Sequence, residues 1–350
     1  MAAGLILPKL QFSEAAPTPM IITRTPFRIS FFGGGTDYPA WYLEHGGLVL
    51  ATTIDKYCYI TCRRLPPFFE HKHRIVYSHI ENVREIAEIQ HPAVRAVLGW
   101  LKVEEGLEIH HDGDLPARSG LGSSSSFTVG LLHAIRALRG QYVSKDELAS
   151  QAIHVEQKVI QENVGSQDQI SAAFGGLNRI EFRQNDSFDV APVITAPDRL
   201  ADLQSHLMLF FTGVSRIASE VAKAKIDNLK NRVVELKAMH AMVDEAISIL
   251  QDQHAPITAF GKLLDQSWQL KRSLSDRVST PEIDALYSAA RDAGATGGKI
   301  IGAGGGGFLL LFVQPEHQAR VRERLHELVH VPFKFESSGS RVVLYQPNGL

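Results

Sequence analysis

Cysteine is almost missing from this chain, with only Cys58 and Cys62 among 350 residues. A disulfide-built scaffold needs more, so stability has to come from an apolar core, and a reducing, cytoplasmic setting is expected. No second ligand pair accompanies their CxxxC spacing, which points to two buried thiols on one strand face. Dense basic runs are absent as well. The chain carries 36 Lys and Arg against 38 Asp and Glu, a formal net charge of −2, which disfavours a nucleic-acid surface. No apolar run approaches the length of a bilayer-spanning helix, so a membrane is not an expected partner. Residues 1–19 hold a short apolar stretch without a basic start. They read as a disordered extension ahead of Met20, not as a signal peptide.

What is present is ordinary for a globular protein: 44% apolar and 21% charged residues, on a length that suggests two domains. Alternating β-branched and aromatic residues predict strands over 21–32, 48–53, 56–63, 107–111 and 177–182, with a turn at Asp55-Lys56. Helices are expected over 81–89, 92–102 and 127–139. Ser144-Lys-Asp-Glu147 is a capping box that opens another. A shift in composition near 195–202 suggests a linker, dividing the chain into 20–197 and 198–350. Beyond it the pattern predicts a strand at 207–212, a long helix over 217–253, helices at 259–274 and 281–293, strands at 299–301 and 308–313, a helix at 316–329 and two final strands. Strands followed by long helices indicate an α+β chain.

Against this background glycine is concentrated in three places: Phe32-Gly-Gly-Gly-Thr-Asp37, Ser119-Gly-Leu-Gly-Ser-Ser-Ser-Ser126 and Gly302-Ala-Gly-Gly-Gly-Gly307. The middle one precedes an apolar-periodic helix. Small residues there let backbone approach a ligand closely, and the free N–H groups of a first helical turn favour an anion. Its hydroxyls can bond phosphate oxygens or help to hold a metal ion. A polyphosphate is therefore expected at that helix start. There is no Gly-x-x-x-x-Gly-Lys-[Ser/Thr] run and no early Gly-x-Gly-x-x-Gly after a strand, which sets aside P-loop and dinucleotide folds. His71, His73, His110 and His111 lack a convergent third ligand. Trp41, Trp100 and Trp268 read as core or pocket walls.

The three segments, in this order, resemble the motifs of the GHMP kinases. Thr25-Pro-Phe-Arg28 through Tyr38 is similar to the first motif of the sugar kinases, Pro116 through Ser124 to the second, and Lys299 through Gly307 to the third. Within that family the likeness is to bacterial heptose kinases, carried by residues 25–37, 165–176 and 211–216. Fucose kinases share the Gly-Gly-Gly-Thr-Asp form and stay open, whereas the Gly-Glu-His run of galactokinase is missing.

The resemblance implies a two-lobed fold, an N-terminal lobe like ribosomal protein S5 domain 2 and a ferredoxin-like C-terminal lobe, with the site between them. It implies ATP and Mg²⁺, and an acceptor such as D-glycero-alpha-D-manno-heptose 7-phosphate. That acceptor would be phosphorylated at the anomeric oxygen to a 1,7-bisphosphate for nucleotide-activated heptose. ATP would meet Pro116, Ser119, Gly120, Leu121, Gly122, Ser123, Ser124 and Ser125. The metal would meet Ser124 and Glu156, with Ser125 as an open neighbour. Asp168 and Arg28 would orient the attacking hydroxyl. Gly34, Gly35, Thr36, Asp37, Gly305 and Gly306 would hold the sugar, with Gly304–Gly307 closing over it. Arg216 would meet a distal sugar phosphate through its guanidinium. A catalytically silent sugar- and ATP-binding regulator is the other reading, and a second copy of the chain is an open partner.

Overall fold

The computed structural model describes residues 19–66, 68–117, 120–213 and 218–346, with no side-chain description at 218–220. All but the last residue of the expected extension over 1–19 lies outside the described residues, as do Ser119 and Arg216.

Two long strands form the centre. Met20–Phe32 and Gly47–Arg64 pair antiparallel over nearly their full length. The register shifts at two places, between Ser30 and Phe32 and, first, where Pro26 faces Tyr57 but Phe27 faces Ile54. Proline has no N–H to give the ladder, so the interruption falls where it costs least. The turn expected at Asp55-Lys56 is therefore an irregularity inside one continuous strand. Asp55 fixes it by donating its N–H to Lys334 O at 2.9 Å and accepting the Lys334 N–H at Oδ1 at 2.7 Å.

Among the described residues, nine strands make up the first sheet and four the second. The main path of the first runs Arg341–Gln346, Met20–Phe32, Gly47–Arg64, Leu107–Gly113, His73–Val76, Ile80–Val83. Phe335–Glu336 and Asn178–Phe182 also pair with the Gly47–Arg64 strand, and Phe188–Pro192 extends Asn178–Phe182. The helix expected over 81–89 is replaced by the Ile80–Val83 strand and a short 3₁₀ turn at Ile86–Glu88. Glu81 explains the change. Its buried carboxylate accepts the N–H groups of Gln90 at 2.6 Å and His91 at 3.0 Å, and the Tyr77 hydroxyl at 2.9 Å. Those partners reward a bent chain more than a helical ladder would.

The second sheet runs in the order Val329–His330, Leu207–Phe211, Phe308–Val313, Ala295–Ile300, and is packed by helices Thr258–Ser273 and Pro281–Asp292. The segment expected as a linker is the helix Pro197–Ser205, opened by its own proline. Arg199 ties it down through Nη2 to the carbonyls of Ile249 and Ala255, each at 2.7 Å. The chain beyond 197 builds the second sheet and then returns two strands to the first. The long helix expected over 217–253 is two helices, Ala218–Asn228 and Val233–Gln251, joined by a 3₁₀ turn. Asn228 closes that break by donating Nδ2–H to Leu274 O at 2.8 Å. At the capping box, Ser144 Oγ accepts the Glu147 N–H at 3.1 Å. Cys58 and Cys62 are free, buried thiols of one strand, and burial pushes the Cys62 thiol up to about 12.

One apolar core runs through both sheets. Phe260 is its hinge point, edge-on to Phe31 at 5.4 Å and to Phe32 at 5.1 Å, with Phe312 of the second sheet at 6.5 Å. Replacing Phe260 by Ala removes contacts to both sheets at once. We expect about 3–5 kcal/mol of lost stability in a denaturant titration, with both sheets still unfolding together. Two separated transitions, or a loss below about 1 kcal/mol, would contradict a shared core.

Candidate active site

A cavity of about 310 Å³ lies between the first strand, the two glycine loops and the helices of the second half. Its floor is built around Arg28, which the all-buried second half of the Met20–Phe32 strand carries inward. The guanidinium grips Asp168 with two hydrogen bonds, Nε to Oδ1 at 2.8 Å and Nη2 to Oδ2 at 2.6 Å. Nη1 donates to Gly120 O at 2.7 Å, and the backbone N–H of Arg28 donates to Leu121 O at 3.0 Å. One residue therefore holds both the carboxylate and the glycine loop. Asp168 lies in the first turn of the helix Gln167–Phe174, where an acidic residue suits the helix dipole.

The helix Ser123–Leu138 opens at the cavity. Gly122 precedes it in the left-handed region at φ 76° and, as the N-cap residue, has no side chain with which to cap it. Its N–H groups face the space that Gly120, Gly122, Ser123, Ser124 and Ser125 line, which is an anion-binding arrangement. Gly120 needs to be glycine because of the neighbour packed against its backbone. A Cβ there would sit 2.7 Å from Ile301 O, and one at Gly302 would sit 2.5 Å from Gly120 O. The second and third glycine segments thus meet backbone to backbone.

Glu156 sits at the back of this helix start on a π-helical turn, Val155–Ile160, whose extra residue re-aims the side chain. It is fully buried. Its Oε2 accepts Ser125 Oγ–H at 2.8 Å and a short hydrogen bond from Gln169, while Oε1 has no partner. Burial pushes the carboxyl up to about 7. Ser125, the open neighbour of Ser124, is the serine that hydrogen-bonds Glu156. Successive helical residues point about 100° apart, so Ser125 turns inward to Glu156 while Ser124 is exposed at the cavity.

Asp37 is buried as well. Oδ1 accepts the Gly35 N–H at 2.9 Å and Oδ2 accepts Gln167 Nε2–H at 2.9 Å. Burial raises its pKa, against the pull of Gly35 and Lys225. Gly34 and Gly35 line the same wall. Thr36 does not. Its hydroxyl is turned to the carbonyls of Gly33 at 2.8 Å and Leu48 at 2.9 Å, and it braces the turn from within. Pro116 and the buried Leu121 also stand back from the cavity, as do Gly305 and Gly306. Gly305 donates its N–H to Val278 O at 2.8 Å, which draws that part of the loop away and leaves Gly302 and Ala303 at the wall. Among the described residues no group of His, Cys, Asp and Glu forms a metal cluster, and His110 pairs with Glu108 at 2.9 Å.

Three lysines at the site were not singled out from the sequence as functional residues. Lys225, Lys271 and Lys299 are all buried and all line the cavity. Lys271 Nζ donates to Ile300 O and Gly302 O, both at 2.7 Å, and Lys299 Nζ donates to Phe31 O at 2.7 Å. Burial lowers all three, Lys299 to about 7 and Lys225 to about 8, with Lys271 falling well below the usual range. One signal in the sequence could have found Lys271. It continues the buried stripe of Leu264, Ser267 and Trp268 at helical spacing, where a lysine is rare unless paired. Ser30 Oγ and Gln167 Oε1 also reach this cavity without partners.

Comparison with known proteins agrees with this geometry. The GHMP kinases N terminal domain matches residues 82–176, and the GHMP kinases C terminal domain matches residues 253–330. A D-glycero-alpha-D-manno-heptose 7-phosphate kinase of Campylobacter jejuni is 31% identical over 305 residues, 84% of this chain and 90% of the relative. A galactokinase of Pyrococcus furiosus is 25% identical, covering 85% and 90%. The crystal structure of a D-glycero-D-manno-heptose 1-phosphate kinase from Bacteroides thetaiotaomicron superposes with a TM-score of 0.75 at 23% identity, covering 92% of this chain and 98% of that one. Together they define a phosphotransferase with an alcohol group as acceptor. The chain belongs to the GHMP kinase family and has its two-lobed α+β fold.

Gly165 allows Asp37 its position, since a Cβ there would stand 1.8 Å from Asp37 Oδ2. We expect Gly165→Ala to cost about 1–3 kcal/mol in thermal or denaturant unfolding, and clearly less in an Asp37→Ala background. Equal costs in both backgrounds would remove Asp37 as the cause.

Proposed function

We propose that this GHMP sugar kinase transfers the γ-phosphoryl group of ATP to the anomeric oxygen of D-glycero-alpha-D-manno-heptose 7-phosphate. The observation that carries the reading is the doubly hydrogen-bonded Arg28–Asp168 pair, held against a helix start whose N-cap is Gly122 and which has the second glycine segment in front of it. The family and its heptose kinase relative supply the substrate class.

In this reading the polyphosphate lies along Gly120 to Ser125, against the N–H groups of the first helical turn. Asp168 accepts a hydrogen bond from the C1 hydroxyl and takes its proton as the oxygen bonds to the γ-phosphorus. The bond to the bridging oxygen breaks, and ADP leaves with that electron pair. Arg28 holds Asp168 in place and stands beside the charge that develops. Asp37, Gly34 and Gly35 contact the sugar. The residues also fit Mg²⁺: a buried carboxylate with a free Oε1, next to Ser124 and Ser125. When bound there, Mg²⁺ neutralises charge building on the phosphate oxygens.

The reading is tested by coupled ADP release with heptose 7-phosphate, fucose, mannose and galactose as acceptors. Turnover should be highest on heptose 7-phosphate. ATP binding without turnover on any sugar would favour the silent regulator instead. Asp168→Asn should lower kcat by about 100-fold or more with nucleotide affinity little changed, because only the hydroxyl loses its acceptor. Mutant turnover at the wild-type rate would take Asp168 out of this role.

Glu156 must be ionised to hold a cation, and in the folded protein that happens only as pH rises through about 7. Apparent Mg²⁺ affinity should therefore gain about tenfold between pH 6 and pH 8. The gain should vanish in Glu156→Gln. A flat profile in the wild type would mean that the metal does not use this carboxylate.

A further inference from the structure

Basic side chains outnumber acids on the cavity wall. Four line it, Arg28, Lys225, Lys271 and Lys299, against three carboxylates, Asp37, Asp168 and Glu162. Arg28 is committed to Asp168, and Glu162 is only half buried. Lys271 and Lys299 spend hydrogen bonds on backbone carbonyls that join the walls. Lys225 differs. Among the described residues nothing accepts a hydrogen bond from its Nζ, which lies 5.4 Å from the centre of the Tyr38 ring. The side chain is 4% exposed. Its electrostatic neighbours are Asp37, Asp168 and Arg28, which lie on the acceptor side, and Glu156 is not among them.

We propose that Lys225 makes this enzyme select an acceptor that already carries a phosphate, by pairing its ammonium with that phosphate. The inference rests on the sugar kinase reading above and names the residue behind its substrate class. A buried ammonium without a hydrogen-bonding anion is costly, and a neutral sugar would leave it so. A sugar phosphate brings the missing charge and up to three acceptor oxygens. The partner of that phosphate is thus placed on the helix Ala218–Asn228, immediately after the segment that holds Arg216. A bound anion would also reverse the effect of burial on Lys225. In the free enzyme burial leaves this group ready to lose its proton from about pH 8 upward. The other charges facing it are Asp37 and Asp168, which favour its proton, and Arg28, which opposes it, while Lys271 and Lys299 share its cavity.

The test is direct binding by calorimetry to the full-length chain, without nucleotide. The probes are heptose 7-phosphate and the same heptose without its phosphate, each with wild type, Lys225→Met and Lys225→Arg. Lys225→Met should weaken the phosphorylated sugar by about thirtyfold or more and leave the neutral sugar within about threefold. Lys225→Arg should keep most of the preference. The loss of affinity for the sugar phosphate above about pH 8 should be present in the wild type and weakened in Lys225→Met. Unchanged binding of a non-hydrolysable ATP analogue shows that the variants are folded. Equal weakening of both sugars, no weakening of either, or a fall in kcat alone would overturn the assignment, the last of these placing Lys225 on the transferred phosphoryl group. If the wild type binds and turns over no sugar, the kinase reading fails and takes this inference with it. If it turns over sugar phosphates and Lys225→Met keeps the preference, only the role of Lys225 falls.

Discussion

The Arg28 guanidinium is the interaction on which this structure depends. It sits 3% exposed inside the protein, where an unpaired charge would be very costly. Its donors go to two places distant in sequence, both oxygens of Asp168 and the carbonyl of Gly120, and the backbone N–H of Arg28 adds the carbonyl of Leu121. A central strand, a glycine loop and the start of a helix are locked into one unit. Once they are, the position of the helix start and that of Asp168 cannot vary independently. Phosphoryl transfer depends mostly on placing groups, so rigidity of this kind is what the chemistry asks of a fold.

The second half of the chain closes the unit from the other side. Lys299 reaches from the second sheet to Phe31 O in the first, and Lys271 pins the backbone on either side of Ile301. The two glycine loops touch at Gly120 and Gly302, where neither could carry a Cβ. The core continues through Phe260 between the sheets. These contacts explain why the glycine segments lie so far apart in sequence. Each comes from a different structural layer, and the cavity is where the layers meet. They also gather buried basic side chains around one cavity.

Much of the layout was legible in the residues. Most strands and helices followed from periodicity, and the helix after the Ser-rich run follows from its small residues and apolar face. Elsewhere local pattern was overruled by partners far away. Glu81 reads as part of a helix until its carboxylate is seen to collect the N–H groups of Gln90 and His91. The segment at 195–202 reads as a linker until Arg199 anchors it to carbonyls beyond residue 248. Within the site, Arg28, Asp37, Asp168 and Glu156 are legible in the sequence; the structure brings the first three to the cavity wall and sets Glu156 behind it, bonded to Ser125. The inward turn of Ser125 rather than Ser124 depends on helix phase. The retreat of Gly305 depends on a hydrogen bond to Val278. Neither is written locally.

The sequence by itself determined the kind of site. Three glycine segments, a hydroxyl-rich helix start and a few carboxylates are chemical facts about residues in order, and they suffice for an anion-binding, phosphoryl-transferring protein. Only the tertiary structure decided which charges face one another. Lys225, Lys271 and Lys299 look like ordinary lysines in a chain whose net charge is −2. Folding removes them from water and sets them around one cavity, and the cost of a buried charge then makes them matter. That cost depends on burial and on neighbours from other elements, and neither exists until the chain is folded.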